Sequence, residues 1–143
     1  MNQEQFFQLM NGPLADSSVQ IPPESFEDMN IEVIEYEPEQ SIKITAPLYS
    51  KYNNPAGTIL GGYLPVFFDL AFGPLSFLVA KKPTTTLDLN TSYHRPITTD
   101  DEKVIVQAYV VNSSRSYLYM EAKAFNPAGK LVATSSSRLR ILG

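Results

Sequence analysis

Three groups of residues in this sequence have the types and spacing that chemistry needs. The first is Asn54-Pro55-Ala56-Gly57-Thr58-Ile59-Leu60-Gly61-Gly62, a glycine-bearing loop that runs into a long apolar segment. Amides at the start of a helix lack intrahelical partners, so they can receive an anion or a developing oxyanion, and glycine lets a ligand approach the backbone. On general grounds the Gly61-Gly62 pair reads first as a tight entry or close packing with no ligand present. The second is Asp69, set between Phe67-Phe68 and Leu70-Ala71-Phe72. An ionised carboxylate among apolar side chains is costly unless paired or used. Aspartate is also a mediocre helix former, so propensity does not account for it. Either it works as an acid or base, or it emerges at a gap and caps a neighbouring loop. Burial would raise its pKa and helix-end amides would lower it. The third is Tyr93-His94-Arg95-Pro96, with Asp88 and Asn90 upstream. His94 is the only histidine, which leaves no multi-histidine metal site. A lone histidine at a strand end reads as a surface residue before a catalytic one.

These residues need elements to hold them. Asn2 to Met10 reads as a short helix stopped by Asn11-Gly12-Pro13, with Phe6, Leu9 and Met10 on one side. Pro13 to Asp28, carrying Pro22 and Pro23, reads as a connecting arm. From Ile31 the pattern alternates, turns at Glu37-Pro38-Glu39-Gln40, and alternates again through Ile42, Ile44 and Ala46, which predicts a hairpin. The segment TILGGYLPVFFDLAFGPLSFLVAKK is too continuously apolar for a surface stripe and predicts a helix enclosed nearly all round, starting near Gly61. Pro65 is tolerable in its first turn, Pro74 should kink it, and Lys81 and Lys82 suit the negative end of its dipole. Four more strands follow. Thr84 to Tyr93 should place Leu87, Leu89, Thr91 and Tyr93 on one face. Val104 to Val110, Leu118 to Ala124 and Leu131 to Leu139 continue the sheet, the last two joined by the turn Asn126-Pro127-Ala128-Gly129. The expected architecture is α+β, with about six antiparallel strands wrapped around one long helix and a short N-terminal helix. Residues 1–29 would pack as a helix and arm on a domain of residues 30–143. A helix apolar on every side must also cover the side the sheet leaves open, and self-association is the simplest cover.

Composition narrows the function classes. With 43% hydrophobic and 18% charged residues, the chain can bury one substantial core. Zero cysteines exclude a disulfide framework, a thiolate metal site and a cysteine nucleophile. A formal charge of -4 supplies no basic face for nucleic acid. The N-terminal residues lack the pattern of a secretory signal, and a reducing cytoplasm is the simplest expectation. Residues Thr58 to Ala80 are long enough to raise a membrane span, but Asp69 near the centre would be expensive in lipid, so no membrane partner is expected.

Asn54 to Asp69, then Thr86-Leu87-Asp88-Leu89-Asn90-Thr91-Ser92-Tyr93-His94-Arg95-Pro96, then Gly129-Lys130-Leu131-Val132-Ala133 together resemble the hot-dog acyl-CoA thioesterases of the phenylacetate-degradation type, in the 4-hydroxybenzoyl-CoA thioesterase superfamily. The resemblance spans roughly Ile31 to Leu142. It implies a hot-dog fold and hydrolysis of an acyl-coenzyme A thioester. It implies Asp69 as general base or nucleophile, and the Gly61 amide as the donor that polarises the thioester carbonyl. Asn54 resembles the loop asparagine that helps hold water, and Thr86 the hydroxyl residue contributed across a dimer. Gly62 and Leu60 would border the substrate, and Arg95 or Arg115, with Lys81 and Lys82 as further candidates, would meet the anionic nucleotide end of coenzyme A. No metal or separate cofactor is implied, coenzyme A being part of the substrate. The functional unit would be a homodimer, often doubled to a homotetramer. One position departs from the family pattern: its His-Gly-Gly reads Leu60-Gly61-Gly62 here. Leucine offers no hydrogen bond, and losing one such donor costs about 10²–10³ in rate elsewhere. An acyl-CoA-binding module without catalysis is therefore the alternative, with a dehydratase or hydratase built on His94 behind it.

Overall fold

The computed structural model describes residues 2–14 and 19–143. Two short helices come first, α1 (Gln3–Leu14) and α2 (Glu24–Asp28). They are followed by β1 (Glu32–Glu37), β2 (Ser41–Pro47), the long helix α3 (Tyr63–Ala80), β3 (Thr84–Tyr93), β4 (Lys103–Ser113), β5 (Tyr117–Phe125) and β6 (Leu131–Ile141). The strands form one antiparallel six-stranded sheet in the order β1-β2-β4-β5-β6-β3, and α3 packs against β2 to β6. This is the hot-dog arrangement.

Alternation sets the sheet's inner face. Ile42, Ile44, Val104, Val106, Ala108, Leu118, Met120, Ala122, Ala124 and Leu139 point inward and are buried. Against them α3 presents Phe67, Phe68, Ala71, Phe72 and Leu75, each 0% exposed. Fully burying each of these phenylalanines stabilises the fold by roughly 1.5–3 kcal/mol.

The helix is not enclosed all round by its own chain. By length and hydropathy α3 could cross a membrane, and half of it is buried within the fold. Its other face, through Val66, Asp69, Leu70, Gly73 and Phe77, is exposed or half-buried. The start lies at Tyr63, two residues later than expected, with Gly62 as N-cap. Pro65 therefore falls in the first turn, where a missing N–H is tolerated. Pro74 sits inside the helix, and the buried Ser76 hydroxyl donates to the Gly73 carbonyl at 2.7 Å and bonds the Thr84 hydroxyl at 2.6 Å. These bonds tie the end of α3 to the start of β3.

The N-terminal region is more ordered than the sequence suggested. The first helix runs through Asn11-Gly12-Pro13 to Leu14, because Phe6, Met10 and Leu14, four residues apart, form a buried stripe that rewards another turn. Leu9 lies off that stripe and is exposed. The expected arm contains α2, whose Phe26 is buried, while its residues 15–18 lie outside the described residues. The side chain of Gln3 pairs with the edge of β1: Nε2 donates to the Val33 carbonyl at 2.7 Å, and Oε1 accepts from the Val33 N–H at 3.0 Å. One sheet edge is thus partly capped by α1. Among the described residues nothing pairs with the other edge, β3.

Candidate active site

The side chain of Asp69 emerges from α3 beneath the open edge of the sheet. Thr86, on β3 of the same chain, donates from Oγ1 to Asp69 Oδ1 at 3.2 Å. The resemblance implied a threonine from a partner; here the bond closes within one protomer. Asp69 also lines a small apolar cavity between α3 and the N-terminal arm. Loss of water there holds its carboxyl above the usual carboxylate range, and the Thr86 bond pulls it partly back down. Desolvation prevails, which is the outcome the sequence left open.

At the start of α3, Leu60 and Gly61 turn the chain, their carbonyls accepting from the amides of Tyr63 and Leu64 at 3.0 and 3.2 Å. Among the described residues no acceptor meets the N–H of Gly61 or Gly62. The Tyr93 hydroxyl donates to the Gly61 carbonyl at 2.6 Å, and its ring lies against the space a Gly61 side chain would take, with carbons 3.7–3.8 Å away. That carbonyl belongs to the same peptide unit as the Gly62 amide. Holding one end fixes the other. By sequence Tyr93 belongs to a candidate group but has no role of its own, because its partner is a backbone carbonyl.

Both Thr86 and Tyr93 must face the helix for this arrangement, although seven residues separate them. Side chains along a strand alternate, so an odd separation should put them on opposite faces. A register shift between Thr86 and Asp88 resolves this: Thr86 pairs with buried Leu139, Asp88 with Arg138, and Leu87 is the extra residue. The bulge makes Leu87 an outlier from its expected face, 48% exposed, and lets Thr86 join Leu89, Thr91 and Tyr93 toward α3. On the outer face Asp88 accepts from Arg138 Nε at 2.7 Å and from the Arg138 amide at 3.0 Å, which holds its carboxyl below the usual range.

The remaining predicted residues divide between these places and others. Arg95 shares a cleft of about 390 Å³ with Gly61, Leu64, Tyr93, Pro96 and Val132. His94 lines the same cleft, its Nε2 3.1 Å from the Thr134 hydroxyl. Arg115 lies elsewhere, beside Lys82 and Arg140 in a depression of about 380 Å³. Asn54 is engaged within its own loop: Nδ2 donates to Thr58 Oγ1 at 2.7 Å, and Oδ1 accepts from the amides of Ala56 and Thr58. Its side chain shapes the approach to the helix. Leu60 is 44% exposed and lines neither the Asp69 cavity nor the Gly61 cleft.

Residues 56–133, more than half of the chain, match the family model of the thioesterase superfamily. The chain belongs to that superfamily. A search of curated proteins found no match. Solved structures carry the same fold. A thioesterase of Haemophilus influenzae superposes with a TM-score of 0.77 at 20% identity, over 96% of this chain and 90% of its own. The PaaI protein of the Escherichia coli phenylacetic acid degradation operon gives 0.79 at 14%, over 100% and 97%. A Streptococcus mutans protein bound to acetyl-CoA gives 0.74 at 16%, over 89% and 95%. For a thioesterase-superfamily chain, the acid and the helix-start amides are the groups to relate. Asp69 lies six residues beyond Tyr63, roughly 9 Å of helix at about 1.5 Å each, and Gly61 lies two residues before that start.

Proposed function

We propose that the protein hydrolyses the thioester of an acyl-coenzyme A in a site shared by two protomers, with Asp69 from one and the Gly61 amide from the other. The separation along α3 carries this reading, together with the open edge of β3. If two β3 strands pair antiparallel about a two-fold axis near Leu89 and Asn90, Thr86 of one protomer lies opposite Tyr93 of its partner. Thr86 holds Asp69, and Tyr93 holds the Gly61 carbonyl, on the same residue as the proposed amide donor. Closing the sheet edge would therefore assemble acid and amide without further motion. Exposed Leu87 and Val66, beside that edge and on the outer face of α3, would be covered in the same step.

The chemistry follows from the groups. The Gly61 N–H polarises the thioester carbonyl and receives the negative charge that develops on its oxygen. Asp69 either takes a proton from water as the water oxygen attacks the carbonyl carbon, or attacks that carbon itself and yields an anhydride that water then opens. In both routes the carbon–sulfur bond breaks, the thiolate of coenzyme A leaves and takes up a proton, and the acid is released. Arg95, in the Gly61 cleft, is better sited than Arg115 to meet an anionic part of coenzyme A beside the reaction centre.

A thiol-release assay tests this. The parent should hydrolyse an acyl-CoA, and Asp69→Asn should lose about 10²–10⁴ of the rate, the usual worth of a positioned acid–base group. Equal turnover by parent and Asp69→Asn would end the reading. The commitment of Asn54 to its own loop, with Leu60 in place of histidine, favours a second reading, an acyl-CoA-binding module with little or no turnover. Calorimetry with a non-hydrolysable thioether analogue, beside the same assay, separates the two.

A further inference from the structure

We propose that the cavity between α3 and the N-terminal arm receives the acyl group and confines the substrate to short, straight aliphatic acyl-CoAs, of up to about four carbons. The proposal rests on the acyl-CoA reading above and adds the acyl class to it. The cavity is lined by Met10, Ile21, Phe26, Leu70, Pro74 and Phe77, with Asp69 on its wall and Gln20 as the other polar neighbour. An apolar space that shares a wall with the reacting carboxylate suits the hydrocarbon attached to the thioester carbonyl.

Volume decides the class. The cavity holds about 110 Å³. An apolar cavity of about 150 Å³ is what accommodates a benzene ring, so a phenyl group exceeds this space. At 110 against about 150 Å³ the space is roughly three-quarters of a benzene-sized cavity, which suits a straight chain of about four carbons and falls short of an eight-carbon one.

Gly73 makes the room. It lies one helical turn beyond Asp69 on the same face of α3, and a Cβ built there meets nothing within 4 Å. Within the protomer no neighbour is close enough to need the space, and the missing Cβ leaves the cavity open one turn from Asp69.

The test uses the full chain with Gly73→Ala and Gly73→Leu, each checked by thermal melting because a Cβ before Pro74 crowds the proline ring. kcat/KM is read by thiol release on acetyl-, butyryl-, octanoyl- and phenylacetyl-CoA. The parent should prefer butyryl- over octanoyl- and phenylacetyl-CoA by about tenfold or more, and Gly73→Leu should lower butyryl relative to acetyl by about 10-fold or more, as lost room for a methylene or two does. Equal turnover of the four esters, or an unchanged butyryl-to-acetyl ratio in Gly73→Leu, would overturn the assignment while leaving hydrolysis intact. If the parent hydrolyses none of them, hydrolysis of these esters is refuted, and calorimetry with thioether analogues of the same four acyl groups reads the cavity directly. The same short-chain order, shortened further by Gly73→Leu, supports the cavity as the acyl site; binding indifferent to length overturns it.

Discussion

The carboxylate of Asp69 is held in a state that costs stability and suits a base. Its pKa stands above the ordinary carboxylate value because burial disfavours the charge, and the Thr86 hydroxyl moderates the rise. Catalysis needs the ionised form, so kcat/KM should fall as pH drops through a value above the ~3.9 of a free aspartate. Removing the hydroxyl with Thr86→Ala takes away a bond that favours the charged form. The acid limb of the pH–rate profile should then move to higher pH; a limb that stays in place would deny Thr86 this part. The same shift has a consequence for folding. A carboxyl whose pKa is raised in the fold stabilises it only while protonated, and that contribution is lost as pH rises from the unfolded pKa through the folded one. Asparagine resembles the neutral form, so Asp69→Asn should melt higher than the parent at neutral pH while losing activity. Tyr93→Phe should leave the fold in place and lower kcat about fivefold, the worth of one ~1 kcal/mol hydrogen bond to the Gly61 carbonyl beside the proposed donor. Asp69 was legible in the sequence because an acid among phenylalanines needs a reason. Tyr93 was not, because its partner is a backbone carbonyl 32 residues away.

At the scale of elements, periodicity read the strands and the long helix well, and it failed where packing overrode local signals. Asn11-Gly12-Pro13 is a stop signal on propensity, yet burial of Leu14 carries α1 through it. The bulge at Leu87 has no composition of its own, so alternation alone assigned Thr86 and Tyr93 to opposite faces. That single extra residue puts Thr86 and Tyr93 on the same face of β3. The two edges of the sheet also differ for a reason visible only in three dimensions. Gln3 satisfies both outward groups of Val33 and so caps β1. Gln3→Ala should lower stability by about 1–2 kcal/mol, the range for one or two lost hydrogen bonds, measurable as a lower urea midpoint. No effect would mean that the edge is protected by other contacts. The edge of β3 carries no such cap, and a long uncapped edge invites pairing with another strand.

At the scale of the molecule, a helix half covered by its own fold and an acid six residues into a helix that starts beyond Gly61 both favour the proposed second copy of the chain. Leu87→Lys should cost the isolated protomer little, because the side chain is already exposed there, yet it should disfavour β3 pairing and reduce turnover with it. The most direct measurement mixes two inactive proteins, Asp69→Asn and Gly61→Pro, the second lacking the amide hydrogen. In a hybrid dimer one site joins an intact Asp69 to an intact Gly61, and the other site has lost both. Co-expression and random pairing should restore about a quarter of the parental sites, because half of the dimers are hybrid and each has one working site. Recovery near that level in a thiol-release assay is the expected result. Co-expressed proteins that form hybrid dimers and yet remain as inactive as either parent variant would contradict a site built from Asp69 of one protomer and Gly61 of the other.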